Sequence, residues 1–428
     1  HSESSFTGKM MTQAYHAAHQ AIKKHVNANE NDVIITPGTG MTGALAKLQR
    51  IMGFRLPEQY LKNIHLSDEK RPVVFITHME HHSNQTSWLE SIADSVIIPF
   101  GDDLLVDVEK FKNTISQYAH RKTKIGCFTA CSNVTGIRTP YHQLAKIMHQ
   151  HGGICLVDFA ASAPYDIIDM HPSDPEEALD GIFFLPHKFL GGPGSSGVLI
   201  FNKALYKNRI PDHPGGGTVK WTNPWGGHSY FEDVEVREDG GTPGFIQAIR
   251  TALCIQLKED MGVENIHLRE QELLETAFVA LRKIPGLNIL ADNVEDRLGV
   301  ISFYVDNIHY NLLVAILNDR FGIQVRGGCS CAGTYGHLLL HVTEETSNAI
   351  TSHIEQGDLT DKPGWIRLSL HPTMTNEELD YVLKAISDVV ENIKSWEQDY
   401  TFDVHNGEFF SKLVTDQKSK TDWFSLAN

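Results

Sequence analysis

GIFFLPHKFLGGPGSSGVLIF, residues 181–201, is the stretch on which the fold turns. Two apolar runs, 182–185 and 198–201, have the aromatic and β-branched composition of buried strands. Between them stand His187 and Lys188, then Gly191, Gly192, Gly194 and Gly197 among serines, which let the backbone turn tightly. A lysine that closes a buried strand is expected to be desolvated. Burial lowers its pKa and makes the amine a nucleophile toward carbonyls, as Schiff-base chemistry requires. Alone, such a residue could equally be a surface lysine in a hairpin loop, so the other strand ends have to supply its partners.

Outward from this stretch one pattern repeats. Short apolar strands are expected at 33–36, 73–77, 96–99, 125–130 and 154–157, with helical segments at 10–26, 43–52, 107–117 and 141–151. Strand alternating with helix predicts an α/β fold: a large domain whose mostly parallel sheet is flanked by helices. Ligands of such sheets gather at the carboxyl ends of the strands. Residues 211–244, rich in Gly, Pro and Trp, predict a long loop that is functional or meets a partner subunit. Residues 247–284 read as one long helical region leading to a smaller α+β domain. Strands are expected there at 299–305, 323–326 and 365–370, and helices at 312–319 and 376–393. The chain thus divides into a large domain, 1–250, and a smaller C-terminal one, 251–428; the tail after Glu397 carries no signal.

Composition narrows the function classes. The 428 residues are 41% hydrophobic and 21% charged, ordinary for a soluble protein with a sizeable core. A net charge of −16 argues against nucleic acid or an anionic membrane surface as partner. No apolar run has the length of a membrane span and no signal peptide opens the chain. Six cysteines are too sparse for a disulfide framework, and three lie in apolar runs, so reduced thiols in a cytoplasm are expected. The start at His1-Ser2-Glu3, without an initiator Met, suggests that the true beginning is missing.

Four further strand ends carry candidate chemistry. Gly38-Thr39-Gly40-Met41-Thr42-Gly43 fits G-x-G-x-x-G between a strand and a helix. Backbone amides there suit a phosphate whether or not it belongs to a dinucleotide. The dinucleotide version also wants an acid ending the next strand, where Thr77-His78-Met79 stands. Asp158 closes the 154–157 strand, which offers no other polar group; such a carboxylate suits a ring nitrogen that must stay protonated. His81, in Glu80-His81-His82, and Asn133, after Ala130-Cys131-Ser132, end two more strands. Each alone could be a surface or turn residue; the convergence of Thr39, His81, Asn133, Asp158 and His187-Lys188 on strand ends is what points to a site.

With Asp158, the Pro186-His187-Lys188 triplet and its glycine-rich sequel, and Gly241-Thr242-Pro243, the chain resembles the class V aminotransferases. These are fold-type I pyridoxal-phosphate enzymes that include the cysteine desulfurases, and the likeness covers nearly the whole chain to about Ile393. The resemblance implies bound pyridoxal 5'-phosphate, with Lys188 as the Schiff-base lysine and His187 with Thr39, Gly40 and Met41 at the cofactor phosphate. It also implies Asp158 at the pyridinium nitrogen, His81 stacked on the ring, and Asn133 at the phenolic oxygen or the substrate. Thr242 is implied to reach the cofactor phosphate of a neighbouring subunit, making the active unit a homodimer. Arg367, in Trp365-Ile366-Arg367-Leu368-Ser369, is implied to clamp the carboxylate of a small amino-acid substrate.

The reaction depends on Arg326-Gly327-Gly328-Cys329-Ser330-Cys331-Ala332-Gly333, which resembles the cysteine loop of the desulfurase branch, with Cys331 in the nucleophile's place. A thiolate there takes sulfur from cysteine, leaving a persulfide for an acceptor protein and releasing alanine. Two other readings stand beside it: a zinc cluster of Cys329 and Cys331 with His337 and His341, or inert small residues in a turn. Desulfurases usually carry Gln three positions after the aspartate, where this chain has Ala161. A serine is usual two positions before the histidine of the His-Lys pair, where it has Leu185. Transamination without a thiol, and a non-catalytic cofactor-binding relative, are the alternatives these departures leave.

Overall fold

The computed structural model describes residues 3–38, 40–61 and 63–413. Thr39, on which one phosphate contact was expected, lies outside the described residues. The chain forms two compact units. The first is His1–Gln271 with Asn293–Gly299 and Cys331–Tyr335; the second is Glu272–Asp292, Val300–Ser330 and Gly336–Asn428.

The first unit is built on seven strands: β1 (Asp32–Ile35), β2 (Val73–Ile76), β3 (Asp94–Ile97), β4 (Lys124–Thr129), β5 (Ile154–Asp158), β6 (Gly181–Phe184) and β7 (Val198–Asn202). Their order across the sheet is β1-β7-β6-β5-β4-β2-β3. β7 is antiparallel to both its neighbours and the remaining pairs are parallel, so β7 alone runs against the rest.

The apolar runs are continuous because both faces are covered. Val73 and Phe75 of β2 enter one core and Val74 and Ile76 the other; Ile182 and Phe184 of β6 oppose Phe183 in the same way. That is the two-residue period of a strand divided between two cores. Helices Phe6–His25, Val108–Ser116, Tyr141–Gln150 and Phe245–Met261 cover the first face; Met41–Ile51 and His82–Leu89 cover the second. Each fully buried Phe on the sheet contributes about 2–3 kcal/mol of apolar burial.

The expected long loop at 211–244 holds a hairpin, β8 (Val219–Thr222) with β9 (His228–Tyr230), and a short helix, Val234–Glu238. The single helical region expected at 247–284 is two helices, Phe245–Met261 and Val263–Leu281, because Gly262 takes φ +79° and ends the first.

The second unit carries an antiparallel sheet of β10 (Leu287–Ile289), β11 (Val300–Val305), β12 (Arg326–Gly328) and β13 (Trp365–Ser369), in the order β10-β11-β13-β12. Its core takes Ile301 and Phe303 from β11, Leu313 and Leu317 from helix Tyr310–Phe321, and Ile386 and Val389 from helix Asn376–Trp396. A capping box of Thr375 and Glu378 opens that last helix. The strand expected at 323–326 is displaced to 326–328, where two glycines hid the signal. The featureless tail begins with a hairpin, β14 (Tyr400–Asp403) and β15 (Glu408–Ser411).

Candidate active site

β1, β2, β4, β5 and β6 end on one edge of the large sheet, and the expected site residues of the first unit follow those ends. Asp158 is the last residue of β5 and is 3% exposed. Its Oδ1 accepts the Ala160 amide at 2.8 Å. Burial pushes its pKa up to about 6, against the pull of that bond and of the Lys188 charge. The two residues expected to grip one small ring are therefore electrostatic neighbours.

Lys188 itself corrects an expectation. β6 stops at Phe184, and a 3₁₀ turn, Pro186–Lys188, carries His187 and Lys188 beyond the strand, where both are exposed. The amine is not desolvated by strand burial; its position is set by the turn. Gly192 is required there, since a Cβ would stand 1.8 Å from the Pro186 carbonyl oxygen. The same loop then locks onto the phosphate candidate. The Gly197 amide donates to the Gly38 carbonyl at 3.2 Å, and a Cβ on Gly197 would meet the Gly40 carbonyl oxygen at 2.7 Å. Gly40 is the N-cap of helix Met41–Ile51 and offers no side chain to its first-turn amides. Those amides are a ready anion site. Met41 opens the helix as a buried side chain.

After β2 the backbone folds into a dense polar turn. Glu80, 1% exposed, accepts at Oε1 from the Thr77 amide (3.1 Å), the Thr77 hydroxyl (2.7 Å) and the Thr129 amide (2.9 Å). Its Oε2 accepts from the Asn84 amide group at 2.7 Å. Burial outweighs these four donors and pushes its pKa up to about 7, with Asp158 adding to the rise. His81 is the N-cap of helix His82–Leu89, its Nδ1 accepting the Ser83 amide at 3.1 Å. Thr42 Oγ1 and Ser83 Oγ, 2.7 Å apart, tie this helix to the first turn of Met41–Ile51. Asn133 lies half-buried four residues past β4.

Cys331 was expected in the smaller domain, but residues Cys331–Tyr335 group with the first unit. The His82 amide donates to the Cys331 carbonyl at 2.7 Å, which brings the half-buried cysteine to the turn that carries His81. Thr242 is exposed in a segment anchored by the Gly241 amide on the Gly216 carbonyl at 2.9 Å. The preceding residues are held by Lys47–Glu238, a buried ion pair at 2.8 Å. Arg367 lies on β13 of the second unit, opposite Ser302 of β11 and Arg326 of β12. Among the described residues no group of three or more His, Cys, Asp or Glu is arranged to hold a metal, so the zinc alternative gains no support. Glu80 and His82 are the residues that strand-end reasoning passed over. Glu80 had one signal, the lone acid in the turn that closes an apolar strand; His82 had none.

The model of the family described as aminotransferase class-V matches residues 1–382. The chain belongs to the class-V aminotransferase family. A family relative in Halalkalibacterium halodurans, named "probable cysteine desulfurase", is 31% identical over 330 residues, 76% of this chain and 75% of that protein. One of the same name in Staphylococcus epidermidis is 32% identical over 331 residues, 76% of this chain and 74% of the relative. Among solved structures, the apo cysteine desulfurase of Thermococcus onnurineus aligns with a TM-score of 0.72 at 23% identity, covering 90% of this chain and 86% of the other. The cysteine desulfurase CsdA of Escherichia coli aligns at 0.70 and 21%, covering 90% and 86%. These alignments establish the class-V aminotransferase fold for the chain.

Proposed function

We propose that this class-V family member is a pyridoxal-phosphate-dependent cysteine desulfurase whose nucleophile is Cys331. The observation that carries the proposal is the 2.7 Å bond from the His82 amide to the Cys331 carbonyl, within the unit that also bears Lys188 and Asp158. The residues fit the cofactor. An uncapped helix start at Gly40 and Met41, with His187, suits its phosphate, and the buried Asp158 is a carboxylate that a protonated ring nitrogen would compensate. Lys188 stands within electrostatic reach of that carboxylate and would hold the cofactor aldehyde. When bound, the cofactor supplies an electron sink for carbanion chemistry at the substrate.

The chain's own residues do the rest. With the cofactor bound, His81 would stack on its ring, Asn133 would offer an amide to the phenolic oxygen or the substrate, and Arg367 would recognise the substrate carboxylate. The Cys331 thiolate attacks the substrate sulfur: an S–S bond forms, the substrate C–S bond breaks, and its electron pair stays on carbon. Lys188 takes the proton from the substrate α-carbon and restores it there, and the proton given up by the Cys331 thiol ends on the β-carbon that lost sulfur. Cysteine and the Cys331 thiol become alanine and a Cys331 persulfide, which passes to an acceptor protein.

The active unit is a homodimer, with Thr242 of one copy serving the other's phosphate. Ile246, Leu253 and Leu257, spaced along one side of helix Phe245–Met261, and Trp221 and Trp225 around the β8–β9 hairpin are exposed, as a self-complementary face needs. Among the described residues no helix is long and apolar enough to cross a membrane. Cys127, Cys131, Cys155 and Cys254 are buried thiols, and this supports a cytoplasmic setting.

The test is turnover of cysteine by purified holoenzyme, scoring alanine and enzyme persulfide, beside Cys331→Ala. Loss of alanine and persulfide formation by ~10³-fold or more, with cofactor absorbance kept, supports the proposal. Unchanged turnover in the variant, or slow exchange of the amino group with no sulfur released, overturns it in favour of transamination.

A further inference from the structure

We propose that His82 is a positioning residue for Cys331, clasping residues 331–333 from two sides. Its amide donates to the Cys331 carbonyl at 2.7 Å, and its Nε2 accepts the Gly333 amide at 2.9 Å. Both bonds lie within the first unit. This role deepens the desulfurase reading of Cys331 and rests on it.

The loop needs such an anchor. Ser330 and Cys331 are consecutive non-glycine residues with φ +51° and +59°. Side chains rarely adopt that left-handed backbone, and it persists only where the surroundings over-determine it. The surroundings do so at Gly333, Thr334 and Tyr335. The Thr334 hydroxyl bonds the Gln85 side-chain amide at 2.7 Å. The fully buried Tyr335 packs edge-on to His78 at 5.3 Å, with its hydroxyl 3.4 Å from that of Thr135. At Gly333 the clasp is tight: a Cβ would stand 3.2 Å from His82 Nε2, so the residue that donates the amide is also the one whose missing side chain admits the ring.

The two adjacent histidines hold opposite roles. His81 accepts through Nδ1 and closes the helix start; His82 accepts through Nε2 and reaches the cysteine loop. A neutral ring that accepts at Nε2 carries its proton on Nδ1. One turn therefore carries both a ring that closes its own helix start and a ring that holds the cysteine loop.

The experiment compares His82→Ala and His82→Gln holoenzyme in a Cys329→Ser background. It follows hydrogen exchange of the 331–335 peptide, the rate of Cys331 alkylation by iodoacetamide, and kcat and KM for cysteine. With His82→Ala, exchange and alkylation are expected to rise and kcat to fall about tenfold at constant KM, the scale of one lost hydrogen bond. Cofactor absorbance should be unchanged. His82→Gln, which keeps an acceptor near the Nε2 position, should recover most of each effect. If His82→Ala does not fold, Gly333→Ala opens the clasp from the other side with the same expected changes. Parental exchange and alkylation in His82→Ala, or equal losses with His82→Gln, would overturn the proposal. Exchange and alkylation need no turnover, so absence of cysteine desulfuration in the parent enzyme counts against the proposed function and leaves the clasp to be judged by itself.

Discussion

The turns that follow β2 and β6 end on the same edge of one sheet and are built by opposite means. After β2, position is set by side chains: Glu80 gathers four donors, His81 caps a helix and His82 holds another loop. After β6, position is set by their absence: Gly192 lies against the Pro186 carbonyl and Gly197 against the Gly40 loop, leaving Lys188 exposed above them. A turn of the first kind couples its geometry to protonation and to each partner's identity. A turn of the second kind is indifferent to pH and intolerant of a single methyl group. The edge thus combines a stiff glycine cradle beneath an exposed lysine with a polar turn that distributes position to other parts of the unit.

Three substitutions can break that contrast or sharpen it. The largest effect is expected from Lys188→Ala, with cysteine turnover lost by at least ~10³-fold while Tm stays within ~2 °C, since the amine is exposed and the turn is held by glycines. Differential scanning calorimetry beside the turnover assay checks it; a large fall in Tm would show that the lysine, and not the cradle, supports the turn. Gly192→Ala comes next. Its new Cβ would have to displace the Pro186 carbonyl, so chemical denaturation should show a loss of about 3 kcal/mol. A loss below ~0.5 kcal/mol would mean that the turn yields easily, and the contrast would fail.

The smallest effect belongs to Glu80→Gln. The folded cofactor-free chain keeps a proton on Glu80 up to about pH 7, whereas an unfolded glutamate releases it near 4.5. Wild-type stability should therefore fall between those two pH values, with Asp158, raised to about 6, adding a fall of the same sign from lower pH. Glu80→Gln removes the first part and leaves the second, so its Tm should decline by ~2 °C less than that of wild type across the window. Parallel declines would show that the four donors already hold Glu80 as a carboxylate.

The sequence alone determined a sheet covered on both faces, because strands buried on both faces must be apolar at every position; 182–185 and 198–201 show that directly, divided between two cores as they are, whereas the reversed direction of β7 left no trace in its apolar run. It also put a lysine, an aspartate and a helix start without a side-chain cap at the carboxyl edge, since topology places successive strand ends together and the residue types need no side-chain geometry to be recognised. It overstated the burial of Lys188, because a strand's apolar run says nothing of where the turn beyond it carries the next residue. It could not place Cys331 beside His82 or give Glu80 a role: 249 positions separate His82 from Cys331, and a hydrogen bond over that distance leaves no period or spacing to read. Only the tertiary structure decided those, because the left-handed pair at Ser330 and Cys331 is held by partners that come from elsewhere in the chain.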